Sequence, residues 1–373
     1  MEHVLNLDAC QGDCLARVGG KALGLGVLLN EGLQVPPGFV VTTDAYHESV
    51  VWPGLAAEVA RMLHGAETTA AQHDASERIR AMFERVEMSD AVAIEIALAY
   101  RRLGGGKPIP VAVRSSATAE DLADASFAGQ QETYLWIRGE DAVVRAVMRC
   151  WGSLFTPQAI AYRAHFGVPA RDLAMAVVVQ RMVPAVAAGV MITLDPVNGD
   201  RSQVTIESSL GLGLAVVGGE VTPDRFAVDK VTWDVRSRAI GDKAIAYRFD
   251  AEVGDVVCAD VPPDDRLVPS LTDDEVVALA RLARDVERRR GGPQDLEWAI
   301  GPGQSGPREL FLLQLRPETV WSQRQAKPIS DPNEDILSRM LRAMSQPLRI
   351  RDAVPDDSDG APTGDAVGPR RGP

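Results

Sequence analysis

Positive charge is in short supply in this chain: 39 Lys and Arg stand against 52 Asp and Glu, a formal net charge of −13 at pH 7. A polyanion is held by a broad cationic face, so nucleic acid and anionic membrane surfaces are excluded as principal partners. A small phosphorylated ligand is not excluded. Exposed charges farther away than a Debye length of about 8 Å are screened, and the few cations at a site decide its binding. Cysteine is also sparse. Cys10, Cys14, Cys150 and Cys258 form no paired CxxC spacing, which argues against a zinc or dithiol site and for reduced thiols in a cytoplasmic protein. No basic segment followed by an apolar run opens the chain, so no secretory signal is expected. The only apolar run approaching membrane length, residues 173–194, is broken by Gln180, Arg181 and Pro184 and reads as two buried strands joined by a turn.

What remains is globular. Of the 373 residues, 46% are hydrophobic and 24% charged, enough for two or three domains or one large two-lobed domain. The tail departs from this average. Residues 334–344 carry one short amphipathic helical pattern, and residues 352–373, rich in Asp, Gly and Pro, are expected to be disordered.

The stretch 111–134, VAVRSSATAEDLADASFAGQQETY, does not have the pattern of a core. Val111 to Val113 reads as a strand end, from which Arg114 leaves into a loop of Ser115, Ser116, Ala117 and Thr118. Small side chains let backbone N–H groups and hydroxyls approach an anion, and an arginine at the root adds a planar charged fork. Gly129 permits close passage of backbone, and Thr133 opens the next strand, 133–137. By composition alone the loop is equally a plain surface connector.

Other segments point the same way. Gly19-Gly20-Lys21 precedes a helical run, 22–30, which places a lysine at a helix N-terminus, a seat for anions. The spacing lacks a Walker A hydroxyl, and a surface lysine beside a glycine turn fits as well. Near the end, Asp295 and Glu297 lie two apart on one predicted strand, and Gln314 and Arg316 two apart on the next. Each pair therefore shares a face. Adjacent antiparallel strands would aim two carboxylates, an amide and a guanidinium at one point, a donor set suited to Mg²⁺ and a terminal phosphate, or simply the wet face of a hairpin. Gly211-Leu212-Gly213 fails the dinucleotide fingerprint, since Val216 occupies the third glycine position, which leaves a Rossmann dehydrogenase a distant third reading. Thr272 to Glu275 forms a capping box for a long helix, whose closing Arg288, Arg289 and Arg290 complement the helix dipole.

The strings RSSATAEDL and ASFAGQQETY, VGGKALGLGVLLNEGLQVPPGFVVTTDAY, TPQAIAYRAHFG, and DLEWA with LFLLQLRPETV resemble the nucleotide-binding domain shared by phosphoenolpyruvate synthase, pyruvate phosphate dikinase and rifampin phosphotransferase. The likeness runs from about residue 18 to about residue 322. It implies an α+β, ATP-grasp-like fold whose two lobes, residues 1–172 and 173–325, carry mixed or antiparallel sheets and hold the nucleotide between them, with residues 326–373 as a tail. It further implies ATP and Mg²⁺ as cofactors. Lys21, Arg114 and Arg316 would meet the phosphates and serve catalysis; Gly129, Thr133 and Gln180 would line the nucleotide; Val183 would lie at the adenine hinge. Asp295, Glu297 and Gln314 would hold the metal. In this family the segment GLGL usually reads GLGE, so Leu214 stands in place of an acid.

In such enzymes the domain passes phosphate to a histidine on a separate swivelling domain. None of His3, His47, His64, His73 and His165 sits in that acceptor context. The resemblance thus implies a dikinase-type phosphotransferase subunit, similar to the smaller subunit of phenylphosphate synthase, that cleaves Mg·ATP to AMP and phosphate while charging a partner's histidine. A nucleotide-binding regulatory module without turnover is the alternative.

Overall fold

The computed structural model describes residues 2–51, 54–117, 132–166, 173–303 and 308–322. These belong to one compact unit, Met1–Gln323. The remainder, Arg324–Pro373, lies outside the described residues, and with it the expected short helix and disordered tail.

The chain opens with β1 (Val4–Asn6), α1 (Leu15–Asn30) and β2 (Gly38–Val41), then turns helical in α2 (Thr43–Tyr46), α3 (Leu55–Leu63), α4 (Thr69–Arg85) and α5 (Asp90–Leu103). Next come β3 (Val111–Ala117), β4 (Thr133–Ile137), α6 (Glu140–Gly152), α7 (Pro157–Phe166) and β5 (Met175–Arg181). The second half runs β6 (Ala187–Ile192), β7 (Gln203–Leu210), α8 (Leu214–Val217), β8 (Asp224–Asp229), β9 (Val235–Ala239), β10 (Ile245–Asp250) and β11 (Asp255–Asp260). It closes with α9 (Pro263–Arg266), α10 (Asp273–Arg290), β12 (Gln294–Gly301) and β13 (Glu309–Pro317).

These strands form a five-stranded sheet, β1-β2-β5-β3-β4, a six-stranded sheet, β13-β12-β6-β7-β8-β9, and the hairpin β10-β11. Every ladder among them is antiparallel. The molecule is thus a mixed α/β protein with antiparallel sheets.

The apolar run at 173–194 forms the two strands expected of it, but they enter different sheets. Its first half, β5, is the central strand of the first sheet, paired with β2 and β3, whereas its second half, β6, pairs with β7 and β12 in the second. Residues 182–186 therefore cross between sheets, tied by Met182 N–H to Pro110 O at 3.0 Å and by Val186 N–H to Ile300 O at 2.8 Å. The chain accordingly passes from the first sheet to the second after Arg181. Strand β3 also differs from expectation. Arg114 sits in mid-strand, because pairing with β5 continues through Ser115↔Val177 and Ser116↔Ala176 to Ala117↔Met175.

Two cores fix the layers. One lies between the first sheet and helices α3 to α7, around Trp151, Phe83, Tyr100 and the β3 and β5 valines. The other takes Val18, Ala22, Leu25 and Leu28 of α1, the opposite face of the first sheet, the inner face of the second sheet and the apolar stripe of α10. Helix α1 is therefore shared by both sheets. The capping box forms at Thr272 and Glu275, and α10 ends at Gly291 in the left-handed region (φ +74°). Among the described residues no helix is long and apolar enough to cross a membrane.

Behind the second sheet lies a fully enclosed ion pair, Lys243 to Asp224 at 2.6 Å, with both side chains 0% exposed. Asp224 also accepts from Gly241 N–H, Ser270 N–H and the Ser270 hydroxyl, so both carboxylate oxygens are satisfied. Removing the lysine leaves a buried anion short of its counter-charge. Lys243→Ala is expected to lose about 3–5 kcal/mol of stability in urea denaturation. Arg238→Ala, which removes an exposed partner of Asp273, should change it by less than about 1 kcal/mol.

Candidate functional site

A cavity of about 410 Å³ opens where strands of both sheets meet the 182–186 crossing. Strand β3 brings Arg114, β4 brings Thr133, β5 brings Gln180, the crossing brings Val183, and the β12–β13 hairpin brings Glu297, Gln314 and Arg316; Lys21 of α1 also lines it. The structure therefore gathers eight of the residues singled out in the sequence around one space. Asp295 is not in the lining. Its carboxylate lies beside Arg316 at 3.4 Å, two cross-strand pairs away from Glu297. Gly129 and Thr118 lie outside the described residues.

The polar groups are held by cross-sheet contacts. Arg114 donates through Nη1 to the Leu313 carbonyl (2.7 Å) and through Nη2 to Glu297 Oε2 (2.6 Å) and Gln314 Oε1 (2.9 Å). The Leu313 carbonyl is available because the hairpin slips there. Glu297 pairs with Gln314, but Trp298 pairs with Leu312, so Leu313 is an extra, bulged residue. A regular alternation read from the sequence has no means of locating that slip. Gln180, 2% exposed, is anchored by Nε2 donating to Pro36 O at 3.0 Å.

Lys21 is set by a break in α1. Gly19 adopts φ +72° and ψ 171°, which ends one helical turn and starts another at Gly20. A Cβ there would come within 2.2 Å of Ser116 O, so only glycine fits. The hydroxyls of the Ser115 and Ser116 pair do not serve as open anion donors: Ser116 donates to Val18 O at 2.7 Å, and Ser115 donates to Glu132 O at 3.4 Å. Because β3 continues as a strand, those side chains are drawn into packing against α1 and the 132 turn.

Apart from Val183 and Leu214, the apolar lining escaped residue-by-residue reading. Val183, Ala188 and Ala299 form a small cluster with Ala185, Phe311 and Leu313 against it, and Met182, Leu212, Leu214 and Val217 complete that wall. The one available signal was size: alanines and glycines recur at 185, 187, 188, 189 and 299, leaving room where larger residues would fill it.

Two carboxylates of β12 sit in opposed environments. Burial favours the neutral form of Glu297, but the charge and hydrogen bond of Arg114, joined by Arg316 and Lys21, outweigh it and hold this carboxyl below its ordinary range. Burial raises Asp295, and Arg316 offsets only part of that effect while Glu297 and Glu318 add to it. Glu297 is therefore the anion of the site, and Asp295 the carboxyl that takes up a proton first.

A pH test follows. Because Glu297 is held low, its contribution to stability is present above the unfolded value of about 4.3 and is lost as pH falls through the folded value. Arg114→Ala leaves burial as the dominant effect and raises that carboxyl. The variant should lose about 1.5–3 kcal/mol near pH 7, and that loss should shrink as pH falls from the unfolded value through the lower folded one. Denaturation curves between pH 3.5 and 7.5 measure this, and a cost independent of pH contradicts the pairing.

Comparison with known proteins agrees with this geometry. Residues 15–335 match the pyruvate phosphate dikinase AMP/ATP-binding domain. The phosphoenolpyruvate synthase of Aeropyrum pernix is 41% identical over 364 residues, covering 89% of this chain and 44% of that protein. Probable phosphoenolpyruvate synthases of Archaeoglobus fulgidus (41% identical, 87% of this chain, 42% of that protein) and Methanocaldococcus jannaschii (39% identical, 91% and 28%) are similar to it as well. The chain thus spans less than half the length of these relatives. With a match across most of its length and a cleft in which the matched strands converge, the chain belongs to the pyruvate phosphate dikinase AMP/ATP-binding domain family.

Proposed function

We propose that this chain is the ATP-binding unit of a phosphotransferase that cleaves Mg·ATP to AMP and phosphate and charges a histidine on a separate phosphohistidine domain. One observation carries the reading: Arg114 of the first sheet, Glu297 and Gln314 of the hairpin, Lys21 of α1 and Arg316 all face a single cavity. In an ATP-grasp-like arrangement the two sheets form the two lobes, and the nucleotide lies between them. The wall of Val183, Ala188 and Ala299 suits the flat, apolar faces of adenine. The cations suit the phosphates, whose charge is spread over oxygens during transfer.

The donor set fits Mg²⁺ bound together with phosphates. Among the described residues no three His, Cys, Asp or Glu cluster as a metal cage. Mg²⁺ commonly takes one or two protein oxygens and completes its shell with phosphate and water, for which anionic Glu297 and the Gln314 amide are suitable, with Asp295 behind them. Bound there, the ion would add positive charge against the phosphate oxygens. Arg114 orients both Glu297 and Gln314, while Lys21 and Arg316 hold phosphate oxygens in line. Leu214 in the cavity wall, where the family usually has an acid, favours a second reading, a nucleotide-binding regulatory module.

Turnover distinguishes the two. Calorimetric titration should give binding of Mg·ATP and none of NAD or an oligonucleotide. Arg316→Ala and Glu297→Gln should each cut turnover on the order of 10²–10³, far more than they disturb folding, although Glu297→Gln should also lower the melting temperature because it removes the counter-charge of Arg114. The purified chain should hydrolyse ATP slowly, and chromatography should detect steady AMP once a phosphohistidine-domain protein is added, because transfer needs an acceptor within about 3–3.5 Å. Tight ATP binding with no AMP under any partner supports the regulatory module instead.

A further inference from the structure

We propose that Ser116 is the positioning residue for Lys21, acting as a helix cap supplied by a strand; this rests on the reading of Lys21 as a phosphate contact. When α1 restarts after Gly19, its first N–H groups have no carbonyl one turn earlier to donate to. An N-cap residue usually meets this need with a side-chain oxygen, directed at the second or third N–H of the helix. Gly19 has no side chain to offer. Ser116 Oγ takes that role from 97 positions away, accepting from Ala22 N–H at 3.2 Å, the third residue of the restarted helix.

The same oxygen donates its own proton to Val18 O at 2.7 Å, on the other side of the break. One hydroxyl therefore bridges both flanks of Val18-Gly19-Gly20-Lys21-Ala22, and Lys21 lies inside the bridged turn. The contact is sealed. Ser116 is 0% exposed, Val18 and Ala22 are 0% exposed, and Gly19 is pressed against the Ser116 carbonyl.

The strand also sets where the turn sits. Arg114 and Ser116 are two apart on β3 and share a face. Arg114 reaches from that face to Glu297 and Gln314, and Ser116 reaches from it to the lysine turn. The points on β3 from which Arg114 reaches the hairpin and Ser116 holds the lysine turn are thus two residues of strand apart, about 3.4 Å per residue. Other placements of Lys21 would have to break the cap.

The proposal separates from ordinary packing by what it does to phosphates. Ser116→Ala should weaken ATP binding about tenfold and leave adenosine binding unchanged, because only the phosphate contact depends on Lys21. Lys21→Ala should weaken ATP by a similar or larger factor, and the double variant should bind ATP no more weakly than Lys21→Ala alone. Ser116→Cys, of similar volume with a weaker donor, should fall between Ser116→Ala and the parent. Calorimetry with ATP and adenosine, alongside melting curves, reads all of these.

Additive losses in the double variant, or equal losses for ATP and adenosine, overturn the positioning role and leave Ser116 as a packing residue. If Ser116→Ala does not fold, Ser116→Cys carries the same cycle with Lys21→Ala. If Lys21→Ala binds ATP as tightly as the parent, the reading of Lys21 as a phosphate contact fails first. Loss of ATP affinity in Lys21→Ala with none in Ser116→Ala or Ser116→Cys overturns this inference alone.

Discussion

The site depends on one guanidinium. Arg114 belongs to the first sheet, yet all three of its observed acceptors, the Leu313 carbonyl, Glu297 and Gln314, belong to the second. Hydrogen bonds to charged groups are worth more than neutral ones and are directional, so this fork fixes both the spacing of the sheets at the cavity and the rotamers of two further side chains. Its charge also keeps Glu297 ionised against the effect of burial. Without that pairing the effect of burial on Glu297 would lose its main counterweight.

Helix α1 makes the pairing geometrically possible. It packs against the first sheet at Gly19 and against β13 at Gly24, where a Cβ would come within 2.8 Å of Leu315 O. Close approach at both points sets α1 directly between the strand carrying Arg114 and the strand carrying Gln314 and Arg316. The hydrophobic contribution is shared too, since the core around α1 takes residues from both sheets and from α10. Burial there stabilises the assembly without direction, while the polar fork supplies the direction.

The opposed behaviour of Asp295 and Glu297 has the same origin. They share one face of β12, and both are half-buried. Glu297 accepts from an arginine at 2.6 Å, and Asp295 lies beside an arginine at 3.4 Å with further carboxylates nearby. Two residues along one strand face thus separate a carboxyl held low from one held high.

Much of this was legible in the chain. Strand β4, the capping box at Thr272, and the shared faces of Asp295 with Glu297 and of Gln314 with Arg316 follow from local periodicity and turn chemistry, and the structure has them. Motif resemblance named eight of the residues that line the cavity, while Asp295 lies outside the lining and Gly129 outside the described residues. Partner choice between strands was beyond local reading: an apolar run is equally buried in a hairpin or split between sheets, so only tertiary pairing assigned β5 and β6 to different sheets. The same pairing drew Ser116 out of a supposed loop and onto α1, and the bulge at Leu313 gave Arg114 its carbonyl. Sequence by itself determined which side chains were capable of the chemistry, because residue type sets charge and donor geometry. Their meeting at one point was decided by long-range registers, which no window of neighbouring residues contains.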